Sequence, residues 1–270
     1  MTSSLETKGQ AQSEASTNVP ASDSSDHPWA VITLPSYPFQ GRISEDFAEH
    51  IAGEMSMVHN IIIRSLNSIW VNAPNVGTKG RKDGSVAAFV GYSLVALHNI
   101  HEHHDTEEAI FFPVLKDSGL GEMVAENVEQ HRVFHEAMAE FEAYLRNVQG
   151  GTETYDAEKL RKLLKAFADP LVRHLHDEIN TLRPEVMHSI DKAVLQKLWK
   201  DLDAHIQSQG GLFTTIPFMV TAQNPSDAAN WPPFPGPLRW LVKSVFYRVH
   251  SSYWKFAPYT LSGQPQTFSP

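Results

Sequence analysis

Histidines and carboxylates stand four residues apart at three places in this chain: His103 and Glu107, His131 and His135, and His174 and Glu178. A spacing of four puts two side chains on the same face of an α-helix, one turn apart. A further histidine, His59, lies upstream in the apolar run Met57-Val58-His59-Asn60-Ile61-Ile62-Ile63. Three pairs on three helices and one histidine from a fourth can converge in the core of a bundle. Five imidazoles and two carboxylates are too many donors for one octahedral ion and enough for two. Neutral imidazole suits iron, and carboxylates can bridge two cations while neutralising part of their charge. The expected cofactor is therefore a pair of iron ions, with Glu107 and Glu178 as bridges and His59, His103, His131, His135 and His174 as terminal ligands. A buried carboxylate without a partner costs several kcal/mol, on the order of a charge in low dielectric, so a metal is its natural counter-ion.

Each motif alone is a weak signal. An HxxxH on a helix is more often surface polarity or packing than a ligand pair, and His101-Glu102-His103-His104 reads equally as a solvated face. The combination carries the weight, because four consecutive helical patterns each supply a candidate. The register of the second is open: His104 and Glu108 form another i, i+4 pair, rotated by about 100° from His103 and Glu107. His98, His101 and His176 are placed beside the ligands or, more simply, on outer faces. His50 lies nine residues before His59, faces elsewhere and is read as structural.

At 270 residues the chain can hold one substantial domain with tails, and 41% hydrophobic residues allow a core. A net charge of −9 argues against nucleic-acid binding; Lys79, Arg81 and Lys82 make only a short basic loop. With no cysteine, disulfides, thiolate zinc sites, iron–sulfur clusters and cysteine nucleophiles are excluded. No run reaches the 18 or so apolar residues of a membrane span, and the N-terminus lacks the pattern of a signal peptide. A soluble cytoplasmic protein is expected.

Residues 1–28 are Ser-, Ala-, Thr- and Gln-rich and are expected to be disordered. Pro28, Pro35 and Pro38 among apolar residues suggest an extended segment laid across the following domain. From Ser44, read as an N-cap, Phe47, Ile51, Met55, Val58, Ile62, Leu66 and Ile69 recur at helical spacing to about Val71. Further helices are expected over 85–116, 122–148 and 156–182, the last kinked or restarted at Pro170. A fifth, over 189–207, has Ile190, Val194, Leu198 and Leu202 on one face. This is an all-α, up-down-up-down four-helix bundle over 29–209. A Pro- and aromatic-rich extension over 210–270 follows, with a short helix near 237–252, packed on the bundle.

The motif set resembles the hemerythrin-like, or HHE cation-binding, family. The second-helix signature is matched by His103-His104-Asp105-Thr106-Glu107-Glu108-Ala109-Ile110-Phe111-Phe112-Pro113, the third by His131 and His135, the fourth by His174-Leu175-His176-Asp177-Glu178, and the first by His59. The resemblance covers about residues 44–183. It favours His103/Glu107 over His104/Glu108, since the carboxylate is then the first of two acids. Some members bridge with an Asp five residues after the fourth-helix histidine; here that position is Ile179, which leaves Glu178 as the bridge. The stretch from Pro237 to Pro258 looks like the C-terminal extension of fungal members. The resemblance implies a non-haem di-iron protein that binds O₂, or another diatomic or peroxide ligand, or senses oxygen or iron. A di-iron oxidase or peroxide-reactive enzyme is the alternative, since related di-iron bundles perform oxidations.

Overall fold

The computed structural model describes residues 27–35, 45–78, 84–228 and 231–270; residues 1–26, Ser44, Pro38 and the basic loop of Lys79, Arg81 and Lys82 lie outside them. Four long helices carry the architecture: α1 (Phe47–Asn72), α2 (Ser85–Thr106), α3 (Gly121–Gly150) and α4 (Ala157–Thr181). Each packs on the next, and α4 closes back on α1. The protein is all-α, as the periodicity predicts, with no strand among the described residues.

The helix ends follow from local chemistry. Asp46, two residues after the predicted Ser44, caps α1 by accepting from the Ala48 and Glu49 N–H groups. Asp156 caps α4 by accepting from Lys159. Gly151 closes α3 at φ 75°, a left-handed conformation that glycine adopts without strain. α2 does not stop at Thr106. It continues through a π turn, Glu107–Phe111, and a helical turn, Phe112–Leu115, and breaks at Gly119, whose φ of 91° is non-helical, before α3 begins. Pro170 leaves α4 unbroken rather than restarting it.

Apolar side chains at alternating steps of three and four form the seams that face the core. On α3 the buried series is Val124, Asn127, His131, Phe134, Met138, Phe141 and Leu145; on α4 it is Leu160, Leu164, Phe167, Leu171, His174 and Glu178. The polar members of each series sit toward the same end of the bundle.

The segment before α1 is pinned across α1 and α4. Asn67 and Asn60 hydrogen-bond both backbone polar groups of Trp29 and Ile32, respectively. The Trp29 indole donates to Asp169, and His176 meets the Ala30 carbonyl at 2.9 Å. His176 thus anchors this strap from an outer face. His50 is buried edge-on against Trp199 of α5 (Lys192–Ser208), ring centroids 4.2 Å apart. Of the predicted fifth-helix face, Ile190 and Leu198 are buried and Leu202 packs against the same core, while Val194 is exposed and Leu195 faces inward beside it.

Two further helices follow, α6 (Thr215–Ala222) and α7 (Gly236–Leu241), the latter extended through Val242–Phe246 to Val249. Their aromatic continuation joins the bundle core: Trp254 and Phe256 are buried with α1 and α2 side chains, and the Phe256 carbonyl accepts from Ser68 and Asn72 of α1. The Tyr253 ring lies so close to α2 that a Cβ at Gly91 would meet it at 2.3 Å. Only glycine permits that approach in mid-helix.

Glu54 of α1 accepts from the Trp231 indole at 2.7 Å, and burial raises its carboxyl to about 7. A raised carboxyl pKa contributes stability that is present at acid pH and lost as pH rises through about 7. Glu54→Gln keeps an acceptor for Trp231 without the charge. At pH 8.5 it should be more stable than the parent by about 1–2 kcal/mol, allowing for partial exposure, and at pH 4, below the ordinary carboxyl range, nearly equal. Urea unfolding of both proteins at the two pH values checks this; an equal difference at both would show that Glu54 ionises freely.

Candidate metal centre

Among the described residues, two sets of donor atoms lie within the reach of a single ion: His104, Glu107, His131 and His174 form one, and His59, His103, Glu107 and Glu178 the other. Glu107 belongs to both. All four long helical segments contribute, since His59 comes from α1, His103 and His104 from the end of α2, Glu107 from the π turn, His131 from α3, and His174 and Glu178 from α4. Together they are five imidazoles and two carboxylates.

The structure brings together six of the seven residues expected from the spacing. His135 is the exception. It is exposed on α3, with its ring 6.3 Å from that of His101, and belongs to neither set. The reason is the α3 seam: the inward step after His131 is Phe134, three residues on, so the position four residues on falls outside. His104 stands in one of the two sets instead. It continues the inward series Leu97, Ile100, His104 on α2, while His103 borders the same interior on the neighbouring row. The two readings of the second helix are therefore both half-present, with His103, His104 and Glu107 inside and Glu108 about half exposed. His103 and His104 stand four and three residues before Glu107 and so both reach its side of the helix, which then widens into the π turn Glu107–Phe111. Nothing in the sequence marks it.

The imidazoles are oriented from behind. His59 Nδ1 meets the Leu175 carbonyl at 2.9 Å and His104 Nδ1 the Ile100 carbonyl at 2.8 Å. His174 Nδ1 meets Gln130 Oε1 at 2.9 Å, and His131 Nδ1 meets Glu108 Oε1 at 2.7 Å. Acceptors at all four Nδ1 positions place the proton there and leave Nε2 with a lone pair pointing inward. His131 and His174 then hold their Nε2 atoms 3.0 Å apart, two lone pairs facing each other. A cation between them resolves that conflict.

The carboxylates need the same partner. Glu107 approaches His103 Nε2 at 3.0 Å and His131 Nε2 at 3.6 Å, while Glu178 approaches His59 Nε2 at 3.3 Å and His174 Nε2 at 3.9 Å. Both oxygens of both carboxylates, and Nε2 of His59, His103 and His104, are buried with no hydrogen-bond partner. Each such group costs about 1–3 kcal/mol. Without a cation, burial and the adjacent Glu178 charge push the Glu107 carboxyl well above its ordinary range, and burial lifts Glu178 to about 7. Burial likewise holds His59 down to about 3 and His103, His104 and His174 well below the usual imidazole range. Neutral imidazoles with inward lone pairs and paired carboxylates form a donor set of nitrogen and oxygen that fits iron.

His98 and His101 lie outside both sets and pair on the surface with Glu102 and Glu142.

The bundle and these donors define a helical protein with a buried, paired His/carboxylate site of the cation-binding kind. The family model of the hemerythrin HHE cation binding domain matches residues 50–186, and the chain belongs to that family. It is similar to the "Dimeric xanthone biosynthesis cluster protein R11" of Cryptosporiopsis sp. (strain 8999), 27% identical over 243 residues, which span 88% of this chain and 89% of that protein. No solved structure matches. No described helix is long and apolar enough to cross a membrane.

Proposed function

We propose that this chain is a non-haem di-iron protein, one ion in each donor set, that binds O₂ or a comparable diatomic or peroxide ligand, as a carrier or as a sensor of oxygen or iron. The observation that carries the reading is the sharing of Glu107 between two sets in which both oxygens of both carboxylates, and Nε2 of His59, His103 and His104, are buried without hydrogen-bond partners. Bound iron would supply two adjacent redox-active Lewis-acid positions. The protein's part is to hold the donors ready. Backbone carbonyls and the side chains of Glu108 and Gln130 fix the rings, Phe112 and Phe134 pack beside His131, and Phe134 also packs beside His104 and His174. The carboxyls give up any protons they hold as cations arrive. The donor atoms are closed to solvent, which favours a ligand of a few atoms over a bulky substrate.

The name of the xanthone-cluster relative favours a second reading, in which this chain is an oxidising or peroxide-reactive di-iron enzyme in a biosynthetic series. Anaerobic loading with ferrous iron followed by exposure to O₂ separates the readings. The first expects about two iron ions per chain and a visible spectrum that returns on removing O₂. The second expects irreversible oxidation accompanied by turnover of an added phenolic compound. One zinc and no iron per chain in aerobically purified protein would sink both.

A further inference from the structure

The two donor sets differ in what stands behind their rings. In the set of His59, His103, Glu107 and Glu178, the oriented imidazole of His59 leans on a backbone carbonyl inside the bundle. In the set of His104, Glu107, His131 and His174, two of the three imidazoles lean on side chains: His131 on the Glu108 carboxylate and His174 on the Gln130 amide. Glu108 follows the shared Glu107 immediately and sits in the same π turn. Its side chain is 49% exposed while that of His131 is 6% exposed. A carboxylate therefore reaches from solvent to the back of a buried ligand.

We propose that Glu108 is a positioning residue for the ion held by His104, Glu107, His131 and His174, and that this ion is the one whose affinity is set from the protein surface. The inference rests on the metal-binding reading above. A carboxylate behind a ligand imidazole fixes its tautomer, aims its Nε2 and raises its basicity; loss of such a partner typically costs on the order of 10- to 100-fold in metal affinity. A backbone carbonyl cannot be lost by substitution or turned away by a rotamer change, so the His59 ring has no comparable dependence. Gln130 supports His174 as a neutral acceptor and adds to the orientation without adding charge. Glu108 is also the carboxylate of this cluster nearest to solvent, which places an anionic contact at the back of the site for an approaching cation.

The experiment is anaerobic titration of the full chain with ferrous iron, or with cobalt(II) for its visible ligand-field bands, followed by release to a chelator. The parent should take two ions and release them in two phases. Glu108→Ala should weaken one phase by about 10- to 100-fold, leave the other within about twofold, and perturb the cobalt bands of the weakened ion only. Glu108→Gln, which keeps an acceptor for His131 Nδ1, should recover most of the loss. The metal-free Glu108→Gln chain should melt with the parent, because it keeps the acceptor for His131 Nδ1, while metal-free Glu108→Ala should melt somewhat lower, with one buried N–H left unpaired. Unchanged affinity and bands in Glu108→Ala would overturn the proposal, and so would equal weakening of both ions. A parent chain that binds no metal would instead remove the metal-binding reading, and this inference with it.

Discussion

Replacing Glu107 by alanine should abolish metal binding at both positions, taking the chain from about two ions to none under stoichiometric loading. No other single ligand substitution is expected to do this, because Glu107 alone appears in both donor sets. His59→Ala or His104→Ala should weaken one ion and spare the other. Loss of this carboxylate should act on stability in opposite directions with and without metal. In the metal-free chain Glu107 is a buried carboxyl with neither oxygen hydrogen-bonded, so Glu107→Gln, which preserves shape without the charge, should melt at or above the parent. In the loaded chain the parent gains stability by mass action, roughly 2.7 kcal/mol at one hundred times the dissociation constant, and the variant does not. Metal analysis and melting with and without ferrous iron check both halves. One ion retained by Glu107→Ala would show that Glu107 serves a single position. His135→Ala is the control: its ring lies outside both sets, and full metal content is expected.

How much of this was legible without coordinates depends on what each residue's position rests on. The fourth-helix ligands follow from periodicity alone, since Leu160, Leu164, Phe167, Leu171, His174 and Glu178 step by four and three without interruption. The same rule, applied to the third helix, rejects His135. Val124, Asn127, His131, Phe134, Met138 and Phe141 make the seam, and His135 follows Phe134 rather than replacing it. The i, i+4 rule says that two side chains share a face; it does not say that the face points inward. The seam does. His104 carried a similar signal in Leu97, Ile100 and His104, but α2 is buried on several sides, which blurs its inward direction. The π turn at Glu107 is a backbone event with no side-chain signature in Glu-Glu-Ala-Ile-Phe, and the entry of both His103 and His104 into one site rests on their steps of four and three to Glu107, between which the sequence pattern does not choose. The hydrogen bonds behind the rings were equally hidden. Leu175 and Ile100 act through carbonyls, which every residue has, and Glu108 and Gln130 declare themselves only once α2 and α3 are side by side.

Deleting residues 231–270 should lower the melting temperature by about 10 °C or more and promote aggregation, while every donor of the two metal sets remains in the chain. An aromatic stretch of this kind either covers apolar bundle surface or lies on a membrane surface, and its two faces separate those roles. Trp254 and Phe256 are essentially without exposure, Trp231 and Phe246 nearly so, whereas Trp240, Val245 and Val249 are exposed. Burial of aromatics of about 150–250 Å² each, at roughly 25 cal/mol per Å², amounts to several kcal/mol per side chain before ordering costs. The polar contacts point the same way: Ser68 and Asn72 of α1 donate to the Phe256 carbonyl, and the Phe268 N–H donates to Asn72. Truncation therefore exposes α1 and α2 core side chains and strands two buried polar residues at once. For a chain of this size each kcal/mol is worth roughly 2–4 °C, which sets the expected shift. A milder version, Phe256→Ala, should cost about 3–5 kcal/mol and leave the chain folded for metal titration. Equal melting of the truncated and full-length proteins, together with sedimentation of the full-length chain on anionic liposomes, would reject the packing role and assign the segment to a membrane surface instead.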